Sequence, residues 1–243
     1  MIRKVTRTLA ALFLLMFGAN ASAALIETAL GIVIDGSGSI SGSNFTTQIN
    51  AYTSVFSDNS IVKADGSVVV NVVQFSNTAQ LEQIAIRIED ETDRTTLIDA
   101  FNNMSQLNSL TAIGSGISLA VSNMDTFLEG LDTAIFSSSF RKLIDVSTDG
   151  GNNSGPSPAT ETASAVNTDG YAQVNCLGIG GSADCSWNDG YGIDFSANTF
   201  AEVESVLKRK VGTELGTVPA PATLLLMGAG LLGFSAARRR KSS

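Results

Sequence analysis

Apolar residues along the middle of the chain keep two alternating rhythms. Leu30-Gly31-Ile32-Val33-Ile34 is an unbroken apolar run, the pattern of a short strand buried on both faces. Phe45, Ile49, Tyr52 and Phe56 then fall at helical spacing and predict a helix over 43–56, with Ser43 or Asn44 as N-cap. Residues 68–75 are β-branched and strand-like, and 79–88 alternate through Leu81, Ile84, Ile86 and Ile88, as suits an exposed or edge strand. Helical patterns return at 93–104 and 113–128, the latter through Ile113, Ile117, Ala120, Val121, Met124 and Leu128. A strand over 142–146 and a helix over 158–167 follow, the helix opened by Ser157 and by Pro158 at its first position. A strand over 174–179 and a helix over 199–215 close the series, with Gly/Ser/Asn-rich loops at 149–157 and 180–192. Repeated strand–helix alternation predicts an α/β fold of Rossmann type: a mostly parallel central sheet, one antiparallel edge strand and helices on both faces.

The two ends follow other rules. Basic residues in 1–8 lead into an apolar run over 9–17, and Ala21-Ser22-Ala23 fits the small-residue rule for cleavage. Residues 1–23 therefore read as a signal peptide, removed after Ala23 or Ala24. An uncleaved anchor helix is the alternative, and the apolar run is short for it.

At the other end, Val218-Pro219-Ala220-Pro221 precedes an apolar stretch over 222–237 and then Arg238-Arg239-Arg240-Lys241. Sixteen residues at ~1.5 Å each reach roughly 24 Å, short of a ~30 Å hydrocarbon core unless the span begins at Val218 and the arginines snorkel. This order of parts resembles the PEP-CTERM sorting signal of Gram-negative bacteria, with Ala220 where that pattern usually has Glu. The resemblance implies recognition of residues 218–243 by an exosortase. It further implies a C-terminal transmembrane helix held in the inner membrane with its basic end cytoplasmic, then delivery to the cell surface or extracellular matrix. An ordinary tail anchor is the alternative. The body between these addresses is residues 24–217, and the membrane concerns the chain only through the C-terminal helix.

Charge separates in the same way. The chain carries 15 Lys plus Arg and 23 Asp plus Glu, a formal net charge of −8. Seven of the basic residues lie at the two ends, leaving eight against all 23 acidic ones in the middle, a net −15. Such a body repels phosphate backbones, which excludes nucleic acid as a partner. The absence of His removes His-based triads, His metal ligands and a His proton shuttle. Two Cys cannot build a four-thiolate zinc site.

The remaining chemistry is oxygen chemistry. Asp35-Gly36-Ser37-Gly38-Ser39 directly follows the buried strand 30–34. In an open parallel sheet, ligands gather at the carboxyl ends of strands where the strand order reverses. Asp149-Gly150 follows the strand at 142–146 in the same way, and Leu110-Thr111-Ala112 opens the helix at 113. Every second side chain of an extended Asp-x-Ser-x-Ser loop faces the same way. Carboxylates and hydroxyls so placed suit a hard divalent cation: Mg²⁺, Mn²⁺ or Ca²⁺. A Gly/Ser turn capping the next helix is the alternative for 35–39, and an N-cap role is the alternative for Thr111.

These motifs resemble the von Willebrand factor A (VWA) domain over roughly 28–215. Asp35, Ser37 and Ser39 match the first element of its metal-ion-dependent adhesion site (MIDAS), and Thr148-Asp149-Gly150 matches the third. Thr111 stands where the family has its Thr, preceded here by Ser109-Leu110 instead of the usual Gly pair. The run 144–153 is also similar to a bacterial VWA-like subfamily. The resemblance implies that Ser37, Ser39 and Thr111 coordinate Mg²⁺ through hydroxyls, and that Asp35 and Asp149 act directly or through water. It also implies a protein or matrix partner that supplies a Glu or Asp. The expected function is an exported adhesion or binding module without enzymatic activity. The alternative is a structural envelope or biofilm-matrix protein whose metal stabilises the fold. A metal-assisted hydrolase ranks last, because no base or nucleophile pair accompanies the oxygens.

Cys176 and Cys185, nine positions apart, are expected to form a disulfide once the chain is exported; a buried free Cys176 beside an exposed Cys185 is the alternative. The acidic run 89–93 reads as a solvated face or loop. Asp145, inside a strand, is assigned no role.

Overall fold

The computed structural model describes residues 24–217. The expected signal peptide (1–23) and sorting signal (218–243), including Val218, Pro219, Pro221, Arg238, Arg239 and Arg240, lie outside them. Six strands, β1 (Ile26–Asp35), β2 (Val68–Phe75), β3 (Ala79–Arg87), β4 (Phe136–Thr148), β5 (Gln173–Ile179) and β6 (Asp194–Ala197), form one sheet in the order β3-β2-β1-β4-β5-β6. All pairings are parallel except β2 with β3, so the antiparallel strand lies at the edge, as the alternation over 79–88 implies. Five helices cover it: α1 (Gly42–Ser57), α2 (Glu91–Asn102), α3 (Ile113–Glu129), α4 (Pro158–Asn167) and α5 (Val203–Glu214). Among the described residues no helix is long and apolar enough to cross a membrane.

The two faces bury separate clusters. On one, Ile32 and Ile34 pack with Phe45, Tyr52 and Phe56 of α1, Leu97 and Phe101 of α2 and Leu207 of α5. Tyr52 and Phe101 stack with ring centroids 5.5 Å apart, a geometry that adds to simple area burial. On the other face, Val33 and Val73 pack with Ile113, Ile117 and Ala120 of α3 and Ala165 of α4. The continuous apolar runs of β1, β2 and β5 follow from being covered on both sides.

Several boundaries differ from the sequence expectation. Ser41, not Ser43 or Asn44, caps α1, its hydroxyl accepting from the Asn44 amide at 3.3 Å. The acidic run 89–93 is a solvated face, as expected, and it is also the start of a helix. Asp90 accepts from the Thr92 and Asp93 amides while Asp93 reaches back to the Asp90 amide, a complete capping box. Thr111 is not an N-cap, since α3 begins after Ala112. β4 starts six residues earlier than expected, through a serine-rich stretch with no apolar rhythm. The four-residue β6 has only one buried position and so leaves no pattern to read.

Cys176 of β5 and Cys185 form a disulfide with Cα atoms 5.8 Å apart. It ties the 180–192 loop to the sheet, and the Asp184 amide of that loop donates to the Gly150 carbonyl. Closing about ten residues stabilises by about 2.5–3 kcal/mol in the chain-entropy model. Cys185→Ala is therefore expected to lower the unfolding free energy by about that amount. Urea titrations of the oxidised and reduced wild type should reproduce the difference.

Candidate functional site

The strand order reverses between β1 and β4: β1 continues through α1 to β2 on one side, while β4 continues through α4 to β5 on the other. The loops leaving these two strands diverge, and the crevice between them is the place where this topology collects ligands. Asp35 ends β1, and Asp149 directly follows Thr148, the last residue of β4.

A short chain of hydrogen bonds joins four of the five expected site residues. Asp35 accepts from the Ser37 amide through Oδ1 at 2.8 Å and from the Thr148 hydroxyl through Oδ2 at 2.7 Å. The Ser37 and Ser39 hydroxyls lie 2.9 Å apart, and Ser39 donates to Asp149 Oδ1 at 2.6 Å. Asp35 and Ser37 are buried, whereas Ser39 is exposed and Asp149 half-buried. The set therefore has a fixed floor and an open rim.

Burial pushes the Asp35 carboxyl above its ordinary value, and the neighbouring Asp149 charge adds to this, while hydrogen bonds from Ser37 and Thr148 oppose it. Among the described residues no ion pair reaches Asp35 or Asp149. Two neighbouring carboxylates without a cation make a place where positive charge is favourable.

Thr111 comes to the same end of the sheet, buried, on the loop before α3. Its hydroxyl makes no hydrogen bond to the other four residues among those described. Its backbone is held instead: the Thr111 amide donates to Asn153 Oδ1 at 2.8 Å, and the Thr111 carbonyl accepts from the Asn153 and Ser154 amides. Asn152 Oδ1 accepts from the Ile113 amide at 2.8 Å. Thus Asn152, Asn153 and Ser154, three to five positions after Asp149, lock the Thr111 loop to the Asp149 loop.

The Asp35 loop is stitched to the same segment. The Gly38 amide donates to the Ser109 carbonyl at 2.7 Å and the Asn108 amide to the Gly36 carbonyl at 2.8 Å. Gln106 Nε2 donates to the carbonyls of Ser37 and Ile40. A Cβ at Gly36 would lie 1.9 Å from Gln74 Oε1, so any larger residue would displace the side chain that accepts from the Leu107 amide. Thr148, Asn152, Asn153 and Gln106 hold the site together; the sequence reading named Thr148 only as part of the matched Thr148-Asp149-Gly150 and gave the others no role there. The two Asn three and four positions after Asp149 were the other visible signal.

Every oxygen in this set is a hard donor, and three of its five residues are neutral hydroxyls. The donors fit a divalent cation of the Mg²⁺ class and offer nothing to a soft metal.

A mostly parallel six-stranded sheet, one antiparallel edge strand and these three loops at the switch point define a VWA-like α/β domain. The chain belongs to the family described as "Protein of unknown function (DUF1194)", whose model matches residues 25–214. A PEP-CTERM protein-sorting motif matches residues 217–241 and marks an exported, exosortase-processed surface protein. No curated protein matches the chain.

Solved structures share the fold at low identity. Proximal thread matrix protein 1 from the mussel byssus superposes with a TM-score of 0.64 at 20% identity, covering 77% of this chain and 48% of that one. The same mussel protein with a zinc-occupied MIDAS motif gives 0.63 at 19% identity, covering 79% and 48%. A von Willebrand factor type A protein from Catenulispora acidiphila gives 0.62 at 18%, covering 79% and 43%. The chain thus spans about half the length of the mussel proteins, and less of the actinobacterial one.

Proposed function

We propose that residues 24–217 form a surface-displayed binding module that engages an acidic group of a protein or matrix partner through one divalent cation. The reading rests on one observation: Asp35 and Asp149 converge with Ser37 and Ser39 at the switch point, with no cationic side chain among the described residues paired to them. Ser37, Ser39, Thr111, Asp35 and Asp149 are the residues that would hold the ion, Mg²⁺ foremost and Mn²⁺ or Ca²⁺ next. A bound ion supplies positive charge and an oxygen-coordination position facing the rim. The neutral hydroxyls leave that charge largely unspent, which favours an incoming carboxylate. The zinc-occupied MIDAS of the mussel relative supports a divalent cation here. Leu110, 52% exposed beside Thr111, would add apolar contact at the rim.

In the same proposal residues 1–23 direct export, residues 218–243 hold the chain in the inner membrane until an exosortase acts, and the domain works without catalysing a reaction. The matrix role named for the mussel relative favours one second reading, a structural matrix protein whose metal site serves only stability.

A pull-down from biofilm-matrix extract separates the two. Immobilised wild-type protein is expected to retain a partner in Mg²⁺, release it in EDTA, and lose it in Asp149→Ala. Retention indifferent to EDTA and to Asp149→Ala would sink the adhesion reading.

A further inference from the structure

Between the sheet and α5, away from the site above, lies a second charged cluster. Lys210 of α5 is fully buried, Asp145 of β4 is fully buried, and Glu214, one turn beyond Lys210, is 4% exposed. Lys210 Nζ lies 2.6 Å from Asp145 Oδ1 and 2.7 Å from Glu214 Oε1. We propose that Lys210 and Asp145 become joined by an intramolecular amide bond, with Glu214 as the proton acceptor and donor for its formation.

The contacts are those of reactants. Lys210 Nζ donates to Glu214 Oε1 at 2.7 Å and pairs with Asp145 Oδ1 at 2.6 Å; apart from that ion pair the Asp145 carboxylate has no hydrogen-bond partner. A fully buried carboxylate left with a single partner is costly, and that partner is the group able to consume it. Holding amine and carboxyl in contact replaces a bimolecular encounter with a unimolecular one.

The surroundings favour the product. The cluster holds one potential cation and two carboxylates in an interior where isolated ions are expensive. Tyr52, whose hydroxyl donates to Ser147, and the Phe195 ring, 5.7 Å from Lys210 Nζ, line it with aromatic surface. Condensation removes the Lys210 and Asp145 charges together and leaves a neutral amide.

The step balances without any co-reactant. The ammonium of Lys210 gives a proton to Glu214, and the neutral Nζ attacks Cγ of Asp145. Nζ loses a second proton as the Cγ–Nζ bond forms, and the departing Asp145 oxygen takes up both protons and leaves as water. Glu214 ends as it began. Its position suits the first transfer: Oε1 lies 2.7 Å from Lys210 Nζ, Asn175 Nδ2 donates to Oε1 at 2.8 Å and fixes the carboxyl, and Oε2 is buried without a partner and free to carry a proton. Burial, and then the Asp145 charge, raise the Glu214 pKa to about 8, which makes it a better proton acceptor, while the two carboxylates hold Lys210 as ammonium against its burial.

The link would have a mechanical sense. α5 ends at Glu214, just ahead of the sorting motif that begins at residue 217. Load entering from a C-terminal attachment meets α5 first, and the amide passes it directly to β4, a central strand of the sheet.

Intact-mass spectrometry and tryptic mapping of the purified, reduced full chain test this. The wild type is expected one water lighter than its processed sequence, with the peptide that begins at Leu143 covalently joined to the one containing Lys210. Lys210→Met and Glu214→Gln are expected at full mass with no joined peptide. A wild type at full mass, cleaved after Lys210 by trypsin, would overturn the proposal, as would a water loss that maps to an Asp-Gly step instead. The wild-type map decides even if a variant fails to fold.

Discussion

Lys210→Met is expected to cost the domain about 3–5 kcal/mol at neutral pH, the usual loss when one partner of a buried charge pair is removed. Methionine matches the volume of the lysine stem, so packing is nearly kept and the loss is electrostatic. Asp145 and Glu214 would then share a dry pocket with no cation. These expectations are for the unlinked ion pair; in an amide-linked chain the substitution also removes the cross-link.

The pH dependence has a definite sign. Glu214 already titrates near 8, raised by burial and by Asp145, with Lys210 acting to lower it. Replacing Lys210 removes that lowering influence and drives the value higher. A carboxyl with a folded pKa above its unfolded value of about 4.3 binds more protons folded than unfolded across that window. Its stabilising contribution is complete below the unfolded value and is lost as pH rises through the folded one. Below about 8 Glu214 keeps its proton in both folded proteins, so its part of the deficit is expected only as pH rises past 8. Urea melts of both proteins from pH 6 to 10 measure it. A deficit that does not grow above 8 would mean that Glu214 does not contribute to it.

The elements that a rhythm can encode were legible before any coordinates. β1, β2 and β5 are buried on both faces and advertise themselves as apolar runs, and α1 and α3 carry one apolar stripe each. The four residues Asp35, Ser37, Ser39 and Asp149 were legible because each lies next to a strand end, where topology does the positioning. Thr111 was harder to read, since its place depends on Asn153 and Ser154, residues more than 40 positions downstream that hold its backbone. The Asp145–Lys210–Glu214 cluster left no sequence signal at all. Lys210 and Glu214 are an ordinary solvated pair on any helix until the sheet is placed against them, and Asp145 is 65 positions from its lysine. Long-range pairing of charged residues has no period, so only the fold reveals it.

Mg²⁺ at a hundredfold its dissociation constant is expected to stabilise the wild-type domain by about 2.7 kcal/mol, by mass action on the folded state alone. Two variants divide that effect between ion and scaffold. Asp149 is half-buried and its only side-chain partner among the described residues is the Ser39 hydroxyl. Asp149→Ala should therefore be close to wild type without the ion, helped by relief of its repulsion with Asp35, and should gain little when Mg²⁺ is added. Asp35 is fully buried and satisfies both the Ser37 amide and the Thr148 hydroxyl. Asp35→Ala should lose about 1–3 kcal/mol in EDTA through those orphaned donors, and should also fail to respond to Mg²⁺. Thermal or urea unfolding in EDTA and in Mg²⁺ supplies all six values. An equal Mg²⁺ gain in the wild type and both variants would remove the ion from this crevice. Loss of the gain in Asp149→Ala, with its EDTA stability intact, assigns the rim carboxylate to holding the cation and not to holding the fold.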